Sequence, residues 1–481
     1  MQNNTLTVIR SLFLKPRGGI GVTRSEWTIS ITPTIVFLVS YLVTTVLAAT
    51  IYMAPGGDEY ISSRSGELVK NVVSGIGSPI YLALLYLPLI VTSISSLITI
   101  KLIKTIKKDI IITDRIRDLK INTPALAIIS AIGTSFCMWK LQQAGALDLG
   151  ALSSGDYIQK TIRRLNLLDN LGFAFFAFAY GINLIIPILA FIAFITQGEK
   201  LKDLLLFAIT FCIFIFTITA TYSKAQILIY LILAMVAFFL TKSKLKYIII
   251  VCLVSVGAFI LTGYAMQAKT GLIATTPEAT VQQKLPETAV QHNIVHDQTK
   301  LIEKPIQRES ESRPLASYIS KMTGDSLHRM AAATPYYVAL FKNPEERCGI
   351  QGNLLRSILR APQPACVLPQ KVFNAMYPEI DWAQGMQPAP ASLSAYGEIG
   401  LGWSVMVMIL AGISLGVLGT IGSIGKGPLY TGFTVASSAF AYYLTQVPLI
   451  ASFTYPHGLF AFMIPIAILA AVALMKNRRT S

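Results

Sequence analysis

Charge is scarce in this chain. Only 13% of its 481 residues are Asp, Glu, Lys or Arg, about half the share of an ordinary soluble domain. With 53% hydrophobic residues gathered in long runs, that scarcity excludes a water-soluble globular class and points to an all-α polytopic membrane protein. Histidine is nearly as sparse, with four residues, and cysteine numbers five. Cys137, Cys212 and Cys252 lie inside apolar runs and read as small core residues. His292 and His296, in HNIVH, have the spacing of a helical metal pair. No third ligand accompanies them, so no metal and no cofactor is expected. GSIGKGP lacks the Ser or Thr that must follow the Gly-Lys of a P-loop. A cleavable leader is not expected either, because Met1 to Trp27 is polar and basic without an apolar centre.

Apolar runs of roughly 20 residues, the length that crosses a bilayer core, occur ten times. They lie near 33–53, 79–100, 121–139, 171–196, 203–221, 225–241, 246–264, 399–420, 429–449 and 456–475. The net charge of +16 would suggest nucleic acid in a soluble protein. Here short basic loops absorb most of it, and no nucleic-acid partner is expected. Arg10, Lys15, Arg17 and Arg24 precede the first run. KLIKTIKKD, QGEKLKD, TKSKLK and the tail KNRRTS follow the second, fourth, sixth and tenth. With ten spans all five clusters share one side, which the distribution of Lys and Arg identifies as the cytoplasm. The domain plan is then a cytoplasmic segment 1–32, spans over 33–264, a large outer loop 265–398, spans over 399–475 and a cytoplasmic tail 476–481, with both termini inside.

The outer loop divides in two. Residues 270–312 are rich in Thr, Gln, Pro and Glu and lack aromatics, a composition that suggests a flexible linker. Residues 313–398 are basic. Between positions 313 and 371, Arg313, Lys321, Arg329, Lys342, Arg347, Arg356, Arg360 and Lys371 face only Asp325, Glu345 and Glu346. Such a surplus is unusual on the outer side. SLHRMAAATPYYVALFKNP reads as an amphipathic helix beginning near Asp325 or Ser326, and QGNLLRSILRAP as a short helix ending before Pro362. Arg356 and Arg360, four apart, are expected on one face of it, where like charges repel unless an anion lies between them. Arginine forks match phosphate oxygens; lipid head groups, or pairing with Glu345 and Glu346, would also account for single arginines. Lys224, in the TYSKAQ turn between two spans, adds a cation at head-group depth. Cys348 and Cys366 flank the arginine helix, and an oxidising compartment would permit a disulfide there.

Three stretches resemble the bacterial O-antigen and oligosaccharide repeat-unit polymerases. TYSKAQILIYLILAMVAFF resembles their S-[KR]-x-x-[IL] hairpin-to-helix segment. GDSLHRMAAATPYYVALFKNPEERCGIQGNLLRSIL is similar to their large outer-loop pattern of arginine, aromatic stretch and glycine-containing segment. QPAPASLSAYGEIGLGWSVMVMILAGISLGVL resembles the re-entry into the next span. The resemblance implies a multi-pass enzyme of the bacterial inner membrane that acts at its periplasmic face. Its substrates would be undecaprenyl-pyrophosphate-linked oligosaccharides, and it would extend one lipid-linked glycan by another without metal or nucleotide sugar. Membrane lipids, a chain-length regulator and a flippase are the implied partners.

On that reading, pyrophosphate contact falls to Arg329, Arg356, Arg360 and Lys224, then Arg313 and Arg347. The candidate bases are Glu398, His328 and Asp381. Tyr336, Tyr337, Trp382 and Tyr396 are candidates for stacking on sugar or for anchoring at the interface. Three rivals stay open. A ligase would transfer lipid-linked glycan to lipid A–core. A lipid-phosphate-sugar glycosyltransferase would use Asp58 and Glu59 of APGGDEY. A flippase or transporter would place charged residues inside its spans, which here are almost free of charge.

Overall fold

The computed structural model describes residues 24–54, 67–106, 118–147, 167, 170–198, 200–221, 223, 225–241, 257, 332–378, 387–456 and 458–479. Among them the regular structure is helical throughout. In chain order the elements are α1 (Arg24–Tyr41), α2 (Leu47–Ile51), α3 (Glu67–Gly75), α4 (Pro79–Ile106), α5 (Thr123–Gln143), α6 (Asn183–Thr196), α7 (Leu201–Ala220) and α8 (Ala225–Thr241). After these come α9 (332–340), α10 (Asn353–Leu359), α11 (Leu368–Met376), α12 (Ala391–Glu398), α13 (Leu401–Gly422), α14 (Pro428–Tyr443), α15 (Leu449–Thr454) and α16 (Leu459–Arg479). Two π-helical turns, Leu42–Val46 and Ala177–Ile182, join α1 to α2 and lead into α6.

Among the described residues, seven helices are long and apolar enough to cross a membrane: Glu26–Thr50, Pro79–Ile106, Thr123–Gln143, Asn170–Thr196, Leu201–Ala220, Leu401–Gly422 and Leu449–Lys476. This is the pattern of a polytopic membrane protein, and it matches seven of the ten expected runs. Of the other three, 225–241 is a shorter apolar helix of 17 residues. The run 429–449 holds the 16-residue α14, and 246–264 lies outside the described residues except Gly257. The linker 270–312 lies outside them as well.

The distribution of side chains on α4 shows how these helices meet lipid. Ile90, Ile94, Ile98, Leu102 and Ile106 recur every four residues and are exposed. Pro88, Thr92, Ser96 and Ile100 recur at the same interval on the buried side. A helix in water would place its Ser and Thr outward. Here the apolar row faces outward and the small polar row faces the neighbouring helices. That arrangement suits a hydrocarbon solvent, where small residues allow close approach of backbones.

α13 packs closely against its neighbours α4 and α1. A side chain at Gly412 would collide with the Thr92 carbonyl, one at Gly416 would lie 2.7 Å from the Ser96 carbonyl, and one at Gly419 would strike the Ser30 carbonyl. Thr34 of α1 and Ser96 of α4 share a 2.7 Å hydrogen bond beside this seam. Pro88 cannot donate to the Leu84 carbonyl one turn earlier. The Tyr41 hydroxyl of α1 donates to that carbonyl instead, at 3.0 Å, so the proline's missing bond becomes a tie between helices.

At one end of the bundle the chain ends are also cross-linked. Asn122 caps α5 by accepting from Ala125 N at 3.1 Å. Gln197 after α6 donates to the Ile121 carbonyl at 3.1 Å. Thr123 donates to the buried Asp203 of α7 at 2.8 Å. The starts of α5 and α7 and the end of α6 therefore lie together, as consecutive antiparallel helices require. Replacing Gly416 by Leu is expected to separate α13 from α4 and cost about 1–3 kcal/mol through overpacking. Thermal unfolding in detergent measures this, with the lipid-facing Met406→Leu unchanged.

Candidate functional site

α12 is the entrance to α13. Residues 387–391 are held against the end of α14 by main-chain bonds: Ala389 N donates to Gln446 O at 3.0 Å and Ala391 N to Leu444 O at 2.9 Å. Ser404 donates to the Ser392 carbonyl at 2.7 Å, which folds α12 back on α13. Gly400 makes the corner with φ +125°, a conformation only glycine adopts without strain. The Arg347 guanidinium occupies the space that a Cβ at Gly400 would fill.

Glu398, the last residue of α12, is 6% exposed. One carboxylate oxygen accepts from the Trp403 indole Nε1 at 2.8 Å, the other from Gln351 N at 3.2 Å. Burial pushes the carboxyl up to about 7, against the lowering effect of the two donated bonds. A carboxyl in this range exchanges its proton near neutral pH, as a general base must.

The loop opposite is pinned to the same corner. Cys348 N donates to Gly397 O at 3.1 Å, Gly349 N to Glu398 O at 3.0 Å, and Arg347 to the Ile399 carbonyl. Cys348 and Cys366 are disulfide-bonded, with Cα atoms 4.9 Å apart. Gln351 fills the closed loop. Its side chain donates to Gly349 O at 3.1 Å and Cys366 O at 3.0 Å. One residue therefore ties both arms of the disulfide loop together and also holds Glu398.

The arginine helix ends before Pro362, as its sequence suggests. α10 ends at Leu359, and Arg360 takes the left-handed cap position at φ +50°. The Arg360 N–H points to the Arg356 carbonyl, one turn back. Pro362 disfavours helix at Ala361, so α10 closes with Arg360 as its cap. Arg356 is half-buried and Arg360 exposed. Arg347, expected as a pyrophosphate contact, commits N–H groups to the carbonyls of Ile399 and Phe341, so it also stitches the loop to the span.

Tyr336, Tyr337 and Tyr396 are buried at 1%, 0% and 2% exposure. The structure corrects their expected role as a sugar-stacking surface: the rings form the core between α9 and α12 and present no open face. A Cβ on Gly397 would lie 3.1 Å from the Tyr337 ring and 2.6 Å from Leu368, which shows how tightly α12 fits there. Burial pushes the Tyr337 hydroxyl up, and the charge of Glu398 adds to this. Burial raises Tyr396 also, opposed by Arg347.

Lys224, Arg313, His328, Arg329, Asp381 and Trp382 lie outside the described residues, as do His292 and His296. The structure therefore brings together Glu398, Arg347 and the disulfide loop that carries Arg356 and Arg360. It adds Gln351 and Trp403. Trp403 has a sequence signal, because a lone carboxylate beside an apolar run needs a donor and the nearest N–H side chain is five residues on. Gln351 has none, since its role arises from loop closure.

Removal of the disulfide by Cys366→Ser is expected to cost about 2–4 kcal/mol, read as faster proteolysis within 349–365. Glu398 binds a proton more tightly in the folded than in the unfolded chain. It therefore lowers stability as pH rises from the ordinary carboxylate range through about 7. Glu398→Gln should flatten that slope in melting temperatures taken across this range. Neither family models, nor curated proteins, nor solved structures match this chain.

Proposed function

We propose that this chain polymerises undecaprenyl-pyrophosphate-linked oligosaccharide repeat units at the periplasmic face of the bacterial inner membrane. The observation that carries the reading is Glu398: a buried carboxyl held at about 7, placed where a basic, disulfide-closed loop meets the mouth of an apolar span. Glycosyl transfer from a lipid pyrophosphate needs these two chemistries side by side. The disulfide supports placing the loop on the oxidising side of the membrane, in agreement with the basic loops assigned to the cytoplasm.

In this mechanism an acceptor hydroxyl attacks the anomeric carbon of the donor sugar. The bond from that carbon to the pyrophosphate oxygen breaks, and lipid pyrophosphate departs with its electron pair. The hydroxyl proton passes to Glu398, with His328 and Asp381 as the other candidate bases. Charge gathers on the leaving pyrophosphate. Arg356 and Arg360, with Arg329 and Arg313, stabilise it as permanently charged donors, and Lys224 adds an ammonium. Arg347 and Gln351 keep the loop and Glu398 in register.

A gel of surface polysaccharide from a strain lacking the gene tests the assignment. Surface lipid bearing a single repeat, with the ladder gone, supports polymerisation. Loss of every capped band, with long glycan left on the carrier, assigns the chain to ligation instead. In purified transfer assays, Arg356→Ala is expected to lower the rate about 100-fold, the effect of removing one donor from a developing anion. The wild-type rate should rise with pH through about 7 as Glu398 loses its proton. Glu398→Gln should lose at least about 100-fold of rate, along with that rise.

A further inference from the structure

The disulfide loop exposes more than cations. Ile358 and Leu359, at the end of α10, are 67% and 48% exposed, and Val367, next to Cys366, is 49% exposed. Ile399 and Leu401, at the mouth of α13, are 44% and 36% exposed. The two groups are neighbours through the backbone. Residues 347–349 hydrogen-bond to 397–399, and the disulfide, with the 2.8 Å bond from Ala365 N to Cys348 O, brings the far arm to the same place. Only three residues lie between Gly349 and the start of α10, and the four steps span at most about 14 Å of chain. The loop is therefore a short, closed tether rooted where a membrane span begins.

Apolar side chains at the tip of such a tether have two environments within reach, water and the edge of the bilayer. Exposure of Ile358 and Leu359 at that tip, and of Val367 just outside the disulfide, is unfavourable in water and favourable in the head-group and upper acyl layer. The polar part of the tip has the matching chemistry. Arg360, left-handed and exposed, directly follows Leu359, so a guanidinium lies beside the aliphatic pair. Aliphatic side chains with an adjacent cation are the pattern of interfacial anchors, in which the cation meets lipid phosphate. Trp403, half-buried two residues into α13, is of the type that marks this depth.

We infer that the loop closed by Cys348 and Cys366 is an interfacial anchor: Ile358 and Leu359, with Val367 just outside the disulfide, insert into the leaflet next to the mouth of α13, and Arg360 binds the phosphate of an anionic lipid whenever no lipid-linked pyrophosphate is engaged. The anchor stands whether or not the chain transfers glycan. It commits the loop to the bilayer and fixes its arginines at the level of lipid phosphates, and it gives the disulfide a purpose, because an open loop would not be held against the mouth of α13.

The test uses the full chain with Cys137, Cys212 and Cys252 replaced by Ala and the disulfide retained. A nitroxide is placed in turn at Ile358→Cys, Leu359→Cys, Val367→Cys and the exposed polar reference Gln363→Cys. The protein is reconstituted in phosphatidylcholine vesicles with and without phosphatidylglycerol. Oxygen is expected to relax the label more than a water-soluble nickel chelate does at 358, 359 and 367, and the reverse is expected at 363. Phosphatidylglycerol should deepen the label at 358, and Arg360→Gln should remove that shift. Nickel access at 358 equal to that at 363 would place the tip in water and overturn the anchor. Shielding of 358 from both reagents would mean that protein covers it, which also overturns the anchor. Equal depth in the two vesicle types would overturn the assignment of Arg360 to an anionic lipid.

Discussion

Close backbone approach along α13 is the constraint on which the rest of this molecule depends. Lipid tails are as apolar as the side chains they surround, so burial of apolar area does not drive helices together inside a bilayer. Van der Waals packing and hydrogen bonds must do so. Gly412, Gly416 and Gly419 bring α13 against carbonyls of α4 and α1, and Thr34 and Ser96 add a hydrogen bond beside them. The position of α13 sets that of its entrance, α12, and so of Glu398. The chemistry proposed for the loop therefore rests on three glycines within the spans.

The loop follows a different physical rule from the spans beneath it. It is too small to be held by a core of its own, and three devices substitute for one. The disulfide limits the unfolded chain. Gln351 supplies hydrogen bonds that would otherwise be missing inside the closed turn. Arg347 and the main chain of 348–349 attach the unit to α12. Glu398 joins the two regimes. Its carboxylate holds the loop through Gln351 N and the span through Trp403, and it is buried by the contact it creates. A carboxyl so placed is raised by desolvation, so the same packing that secures the loop also readies the group for proton transfer.

Much of the architecture was legible from composition and periodicity. Seven of the ten apolar runs are full-length helices, because a segment of about 20 residues nearly free of charge has few alternatives to a membrane helix. The end of the arginine helix was legible from Pro362, and the cysteine pairing was open from spacing and compartment. Other features were not. Arg360 turns left-handed at the helix cap, a local backbone choice that the residue types around it do not announce. Tyr336, Tyr337 and Tyr396 lie in the core because α9 and α12 fold onto each other, and an aromatic cluster looks the same in sequence whether it is packed or presented. Gln351 has no signature, since its bonds run to carbonyls brought together by the disulfide.

What the sequence by itself determined is the solvent of each segment: hydropathy separates chain that must sit in lipid from chain that cannot, and it does so residue by residue with no knowledge of neighbours. Tertiary structure alone decided which polar groups are enclosed together. Whether Glu398 meets water or the Gln351 main chain, and whether Arg347 faces a ligand or a carbonyl, depends on distances between segments about 50 residues apart in the chain. Electrostatic energies change steeply over a few ångströms and with the local dielectric. No local pattern encodes those separations, so the chemistry of the site emerges only once the helices are packed.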